Sequence, residues 1–100
     1  MAYLKNLEVL IAVGNRIREI RKNKNLTQSD IANNAGIATS QVGRIERGKL
    51  NPSISTLFVI SLAMKIELKD LFEFEKSLIK TANQKNMPLL AKKAKAIIMN

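Results

Sequence analysis

The sequence predicts an all-α fold: five short helices around one core, two of them forming a crossed pair joined by a tight turn. Three observations lead there. Apolar residues recur at helical spacing, as in Val13, Ile17 and Ile20 or Leu57, Ile60 and Met64, and no stretch alternates as a half-buried strand does. Small residues stand where two helices would cross and reverse, Ala32 in mid-helix and Gly36 at the turn. Capping and stop residues (Thr27, Gly36, Gly48 and Ser53) punctuate the apolar segments. One hundred residues, 46% of them apolar, suffice for one core and leave little room for a second.

The first helix is expected over Val13 to Lys24, with Val13, Ile17 and Ile20 on one face and Arg16, Glu19 and Lys22 on the other. Leu7 and Leu10 continue the pattern upstream, either as one longer helix or as a separate N-terminal turn. Asn23 to Asn25 break it. Thr27 is the expected cap of the second helix, Asp30 completing a weak capping box. That helix buries Ile31, Ala32 and Ala35 and ends at Gly36, a residue suited to the left-handed conformation. The third helix is expected from about Thr39 to Arg47, with Val42 and Ile45 inward and Gly48 stopping it. Asn51-Pro52-Ser53 is a loop and start signal; Ser53 caps a fourth helix from Ile54 to Met64, and Leu68 to about Glu75 makes a fifth. Beyond a polar stretch and Pro88, the stripe Leu90, Ala94, Ile97 and Ile98 sketches an extra C-terminal helix. Three fates stay open for it: docking on the body, on a partner, or on nothing. The expected organisation is a helical domain over 10–75 and a basic extension over 76–100, partly ordered or packed on a partner.

The chain contains no cysteine and no histidine. It therefore lacks a disulfide framework, thiolate metal ligands and the commonest general base. No cofactor and no metal site are expected, and an enzyme is the least expected class. Apolar runs fall far short of the roughly 20 residues that span a bilayer. The N-terminus carries Lys5 but no cleavage site after a hydrophobic stretch. Cytoplasmic residence without membrane association is the expectation. The net charge of +9 is uneven: +5 over 14–52, −2 over 53–75, and +6 over 76–100, where no acid occurs. A basic surface attracts phosphate polyanions at long range. Over 14–52 that charge coincides with the crossed helix pair, a unit that serves to lay its second helix in the DNA major groove.

Read in order, Leu26-Thr27-Gln28, Ile31-Ala32, Gly36-Ile37, Val42, Ile45-Glu46-Arg47-Gly48, Asn51-Pro52-Ser53, Leu57, Ile60 and Leu71-Phe72 resemble the phage-repressor-type (Xre-like) helix-turn-helix family of repressors, restriction–modification controllers and antitoxins. The resemblance runs from about Val13 to Phe72. It implies a compact five-helix, repressor-type domain that binds double-stranded DNA, generally as a two-fold symmetric dimer. Three positions depart from the family pattern. Ala38 stands where a Ser or Thr commonly caps the recognition helix, Thr39 being the expected substitute; Lys65 replaces a glycine that ends the fourth helix, and Glu67 a serine that caps the fifth.

With Val42 and Ile45 inward, the outward face of the third helix is expected to show Thr39, Ser40, Gly43, Arg44 and Arg47. Residues at the start of that helix lie nearest base edges. Arg44 is the expected base reader, because its planar fork matches the O6 and N7 acceptors of guanine; a phosphate clamp or a solvated arginine is the alternative. Thr39 and Ser40 are expected to contact bases, or else only to cap. Gly43 has no side chain to read with and lets the helix sit deeper. Gln28 lies in the first turn of the second helix, where backbone N–H groups favour phosphate. The resemblance supports a phosphate contact there and at Arg47, Lys49 and Asn51, with plain solvation the alternative for Lys49. Glu46 is expected to pair with Arg21, as the family pattern also suggests, and so to be structural.

On the fourth helix Leu57, Ile60, Ser61 and Met64 account for the inner face, yet Phe58, Val59 and Leu62 are apolar too. A surface helix that is apolar nearly all round must be covered. A second subunit is the expected cover, making Phe58, Val59 and Leu62 a dimer interface; the chain's own terminal segments are the alternative. The leading expectation is a homodimeric, sequence-specific transcriptional regulator on a palindromic operator. The rival is an antitoxin that binds a protein partner through the C-terminal segment.

Overall fold

Asn6 opens the first helix: its side-chain oxygen accepts the backbone N–H of Val9 at 3.1 Å. The computed structural model describes residues 6–74. It contains α1 (Leu7–Asn23), α2 (Gln28–Ala35), α3 (Thr39–Glu46), α4 (Ile54–Ala63) and a final 3-10 turn, Leu68–Phe72, with no strand among the described residues. The two alternatives for the N-terminal pattern resolve into one element, since α1 runs unbroken from Leu7 over 17 residues. The stripe over 90–98 lies outside the described residues.

Local chemistry sets the other starts. Thr27 and Asp30 form the expected reciprocal box, Thr27 Oγ1 accepting from Asp30 N–H at 3.0 Å and Asp30 Oδ2 from Thr27 N–H at 2.8 Å. The Thr27 backbone N–H first, and then the Thr27 side chain, hold the Asp30 carboxyl below the usual aspartate range. Ser53 caps α4 by accepting from Thr56 N–H at 3.1 Å. The expected cap by Thr39 is not there. Ala38 occupies the N-cap position without a side-chain bond, and Thr39 is already the first helical residue.

All four α-helices end the same way. Asn25, Gly36, Gly48 and Lys65 take left-handed φ values of 58–73°. The next N–H then reaches back five residues: Leu26 to Arg21, Ile37 to Ala32, Lys49 to Arg44 and Ile66 to Ser61, each at 2.8–3.0 Å. Lys65 thus adopts the conformation for which glycine is the usual choice. At Gly48 a side chain is excluded twice over, because a Cβ there would also stand 2.9 Å from Ile11 Cγ1.

The core joins every element: Ile17, Ile31, Val42, Ile45, Ile60, Met64 and Leu71 are essentially inaccessible. α2 packs on α3 and α4, α1 packs on α3, and the 3-10 turn lies against α1 and α4. Arg16 fastens that turn. Its Nε donates to Asp70 O at 2.8 Å, and its guanidinium pairs with Glu19 and Glu73. The fifth element is shorter and tighter than the helix expected to about Glu75. Leu68 and Leu71, three apart, stack on one side of a turn with three residues per repeat, and Asp70 accepts the Glu67 N–H at 2.9 Å.

α1 and α3 meet at a glycine. A Cβ on Gly14 would stand 2.4 Å from Ile45 O and 2.6 Å from Glu46 O, so only hydrogen permits the observed approach. No helix among the described residues is long and apolar enough to cross a membrane.

Candidate nucleic-acid interface

α3 is held from below and bare above. Val42 and Ile45 sink into the core, while Thr39, Ser40 and Arg44 are exposed along its outer side and Arg47 is exposed at its C-cap. Gly43 departs from expectation: it is buried, not outward, because the Gln28 amide and the Arg47 guanidinium close over it at 3.1–3.7 Å from its missing Cβ. The uncapped start at Ala38 leaves the first backbone N–H groups of α3 without a side-chain acceptor.

The one acid of α3 is removed from the surface. Glu46 is 5% exposed. Arg21 meets it with a two-pronged pair, Nε to Oε2 at 2.7 Å and Nη2 to Oε1 at 3.1 Å, and a third prong reaches Leu26 O at 3.0 Å. The hydrogen bond to Glu46 raises the Arg21 pKa above its ordinary value, against the opposing effect of burial. This network is the Arg21–Glu46 pairing expected from the sequence. It also ties α1, the α1–α2 loop and α3 into one frame. Gln28 joins it, its Nε2 donating to Glu46 Oε1 at 3.1 Å, so one of its two N–H groups is already engaged.

Lys49 and Asn51 are exposed just past α3. Gln28 is half-buried and Arg47 exposed at the edge of a notch that also contains Arg18, Arg21 and Glu46. Thus Thr39, Ser40 and Arg44 share the outer side of α3, while Gln28 and Arg47 lie together at its flank. Two residues escaped sequence reasoning. Gly14 sets the height of α3 over α1; its signal was a glycine in mid-helix with no turn nearby. Arg18 lines the notch; its signal was its place between Gly14 and Arg21 on one helical side.

On α4 the exposed apolar residues are Ile54 (66%), Phe58 (48%) and Leu62 (56%), one straight stripe at i, i+4, i+8. Val59 is half-buried. Ile54 was not among the expected patch residues, although the same spacing points to it. Ser61, buried at the inner side, satisfies its hydroxyl by donating to Phe58 O at 2.6 Å.

Residues 17–71 match the family model described as Helix-turn-helix, HTH_3. The immunity repressor protein of Bacillus phage phi105 is 40% identical over 70 residues, which are 70% of this chain and 48% of that repressor, so the chain spans about half of that relative's length. An uncharacterized HTH-type transcriptional regulator of Archaeoglobus fulgidus is 32% identical over 60% of this chain and 84% of its own. Among solved structures, the restriction-modification controller protein C.AhdI from Aeromonas hydrophila superposes with a TM-score of 0.62 at 38% identity, covering 63% of this chain and 96% of its own. Over half of the chain lies within the family model, and the chain belongs to the HTH_3, Xre-like helix-turn-helix family.

Proposed function

We propose that this chain is a sequence-specific DNA-binding transcriptional regulator that acts as a homodimer on a palindromic operator. One observation carries the reading. The outer side of α3 presents Thr39, Ser40 and Arg44 to solvent, and its C-cap presents Arg47, while its only acid is buried and neutralised by Arg21. A helix so prepared meets a polyanion without repulsion and offers hydrogen-bonding side chains to base edges. In this reading Arg44, Thr39 and Ser40 contact bases, and Gln28, Arg47, Lys49 and Asn51 hold phosphates. The regulators and repressor among its relatives support it.

The α4 stripe supports the dimer. Ile54, Phe58 and Leu62, with the half-buried Val59 beside them, form a continuous apolar strip on a helix whose other side is already core. Covering their exposed surface is worth roughly 1 kcal/mol or more per side chain and copy, by the usual area relation. A symmetric pair would set its two α3 helices about 34 Å apart, one turn of duplex. Titration of operator DNA selected from a random pool, against scrambled DNA, tests the proposal. Preference for the selected site with affinity falling steeply in salt is expected; equal affinity for both at moderate salt overturns it.

A further inference from the structure

Between α1, α2 and α3 lies a notch of about 210 Å³ lined by Arg18, Arg21, Gln28, Glu46 and Arg47. Three guanidiniums face one carboxylate there, a surplus of two positive charges. Both oxygens of Glu46 are occupied, Oε2 by Arg21 and Oε1 by Arg21 and Gln28. Arg18 and Arg47 are exposed and, among the described residues, have neither an ion pair nor a hydrogen bond from their side chains. The contrast with Arg16 is direct, since that neighbour on α1 is held by Glu19, Glu73 and Asp70 O.

The backbone explains why these groups converge. Gly14 brings α1 against the end of α3, and Arg18 lies one turn further along that side of α1, three residues before Arg21. From the C-cap of α3, the Arg47 guanidinium lies over Gly43, with Nη1 3.1 Å from the Cβ position that glycine leaves empty and the Gln28 amide beside it at 3.4 Å. Two unpaired guanidinium forks and the second N–H of an anchored amide, gathered in one concave site, are donors without acceptors. A tetrahedral oxyanion supplies the missing acceptors.

We propose that this notch grips one backbone phosphodiester of bound DNA, with Arg18 of α1 and Arg47 at the C-cap of α3 on its oxygens and the Gln28 amide donating from the α2 side. The inference rests on the DNA-binding reading and adds to it a contact from α1, a helix with no DNA role in that reading. A clasp drawing on all three helices fixes the register of the domain on the duplex without reading sequence.

The test is a salt titration of the wild-type chain and Arg18→Gln on selected and scrambled DNA, with Lys69→Gln as a charge-matched control on the 3-10 turn, outside the notch lining. Arg18→Gln is expected to weaken both DNAs alike and to flatten the plot of log K against log salt by about one per copy, while Lys69→Gln leaves the slope unchanged. Neutral methylphosphonates placed singly along the operator locate the partner: at one position per half-site the substitution weakens wild type and has no further effect on Arg18→Gln. An Arg18→Gln slope equal to wild type, or no methylphosphonate position that loses its effect, overturns the notch and leaves DNA binding intact. Wild type that binds no DNA overturns both. If the Arg18 Nε–H resonance moves as far with millimolar inorganic phosphate as with DNA, the notch is a free-phosphate pocket and the backbone assignment fails.

Discussion

Gly14→Ala is the substitution for which local and tertiary physics give opposite signs. In an exposed helix interior, replacing glycine by alanine adds roughly 0.8–1 kcal/mol of stability through propensity. At Gly14 the new methyl would lie 2.4, 2.6 and 2.9 Å from Ile45 O, Glu46 O and Glu46 C, where ordinary contact begins at 3.4 Å. All three obstacles are backbone, so no side-chain rotation relieves them, and α1 must part from α3 by about 1 Å. Overpacking of this kind costs about 1–3 kcal/mol or more, enough to reverse the sign. The expected result is a net loss of about 1–2 kcal/mol and a melting midpoint lower by roughly 4–16 °C, at about 4–8 °C per kcal/mol for a domain of this size. Urea denaturation followed by circular dichroism measures it, with Asn15→Ala, exposed on the same helix, as the propensity control. Operator affinity should fall as well, because the displaced helix is the one that carries Arg44. A Gly14→Ala protein as stable as Asn15→Ala would refute the close crossing.

Three other outcomes are expected. Glu46→Ala leaves the Arg21 guanidinium, 12% exposed, without its carboxylate and should lower stability by about 2–3 kcal/mol in the same denaturation assay. Lys65→Gly relieves a left-handed φ of 58° that costs a non-glycine residue about 1–2 kcal/mol, less what glycine gives back in the unfolded chain; a gain of about 0.5–1 kcal/mol in thermal unfolding is expected. Leu62→Glu, on a residue that is 56% exposed, should leave the fold unchanged but give monomer by sedimentation and much weaker operator binding; a variant that still sediments as the wild type does would remove α4 from the interface.

What could be read from the sequence was mostly what neighbours in the chain decide. The Thr27–Asp30 box, the Ser53 cap and the stops at Gly36 and Gly48 depend on residues within a turn, so composition and spacing revealed them. The Arg21–Glu46 pair was legible for another reason: an acid on a helix meeting a polyanion needs a partner, and the family resemblance indicated which. Other contacts distant in sequence were not legible. Nothing near Gly14 shows that another helix backbone lies against it, and nothing near Gly43 shows that Gln28 and Arg47 fold over it. Thr39 was expected to cap because the hydroxyl type is right, but the chain enters the helix one residue earlier, at Ala38. The final element was expected as an α-helix to about Glu75; it is a five-residue 3-10 turn, and the three-residue spacing of Leu68 and Leu71 fits that period.

The central claim is that the exposed side of α3 reads sequence, and Arg44 tests it most directly. Relative affinities of wild type and Arg44→Ala are measured across a panel of operators, each changed at one base pair. Arg44 is exposed and outside every ion pair seen among the described residues, so its removal should spare the fold. Loss of a bidentate base contact is worth about 1–3 kcal/mol and should erase the preference at one position in each half-site while the ranking at all other positions persists. An Arg44→Ala protein that ranks the whole panel as wild type does, only more weakly, would contradict the account and make Arg44 a phosphate clamp.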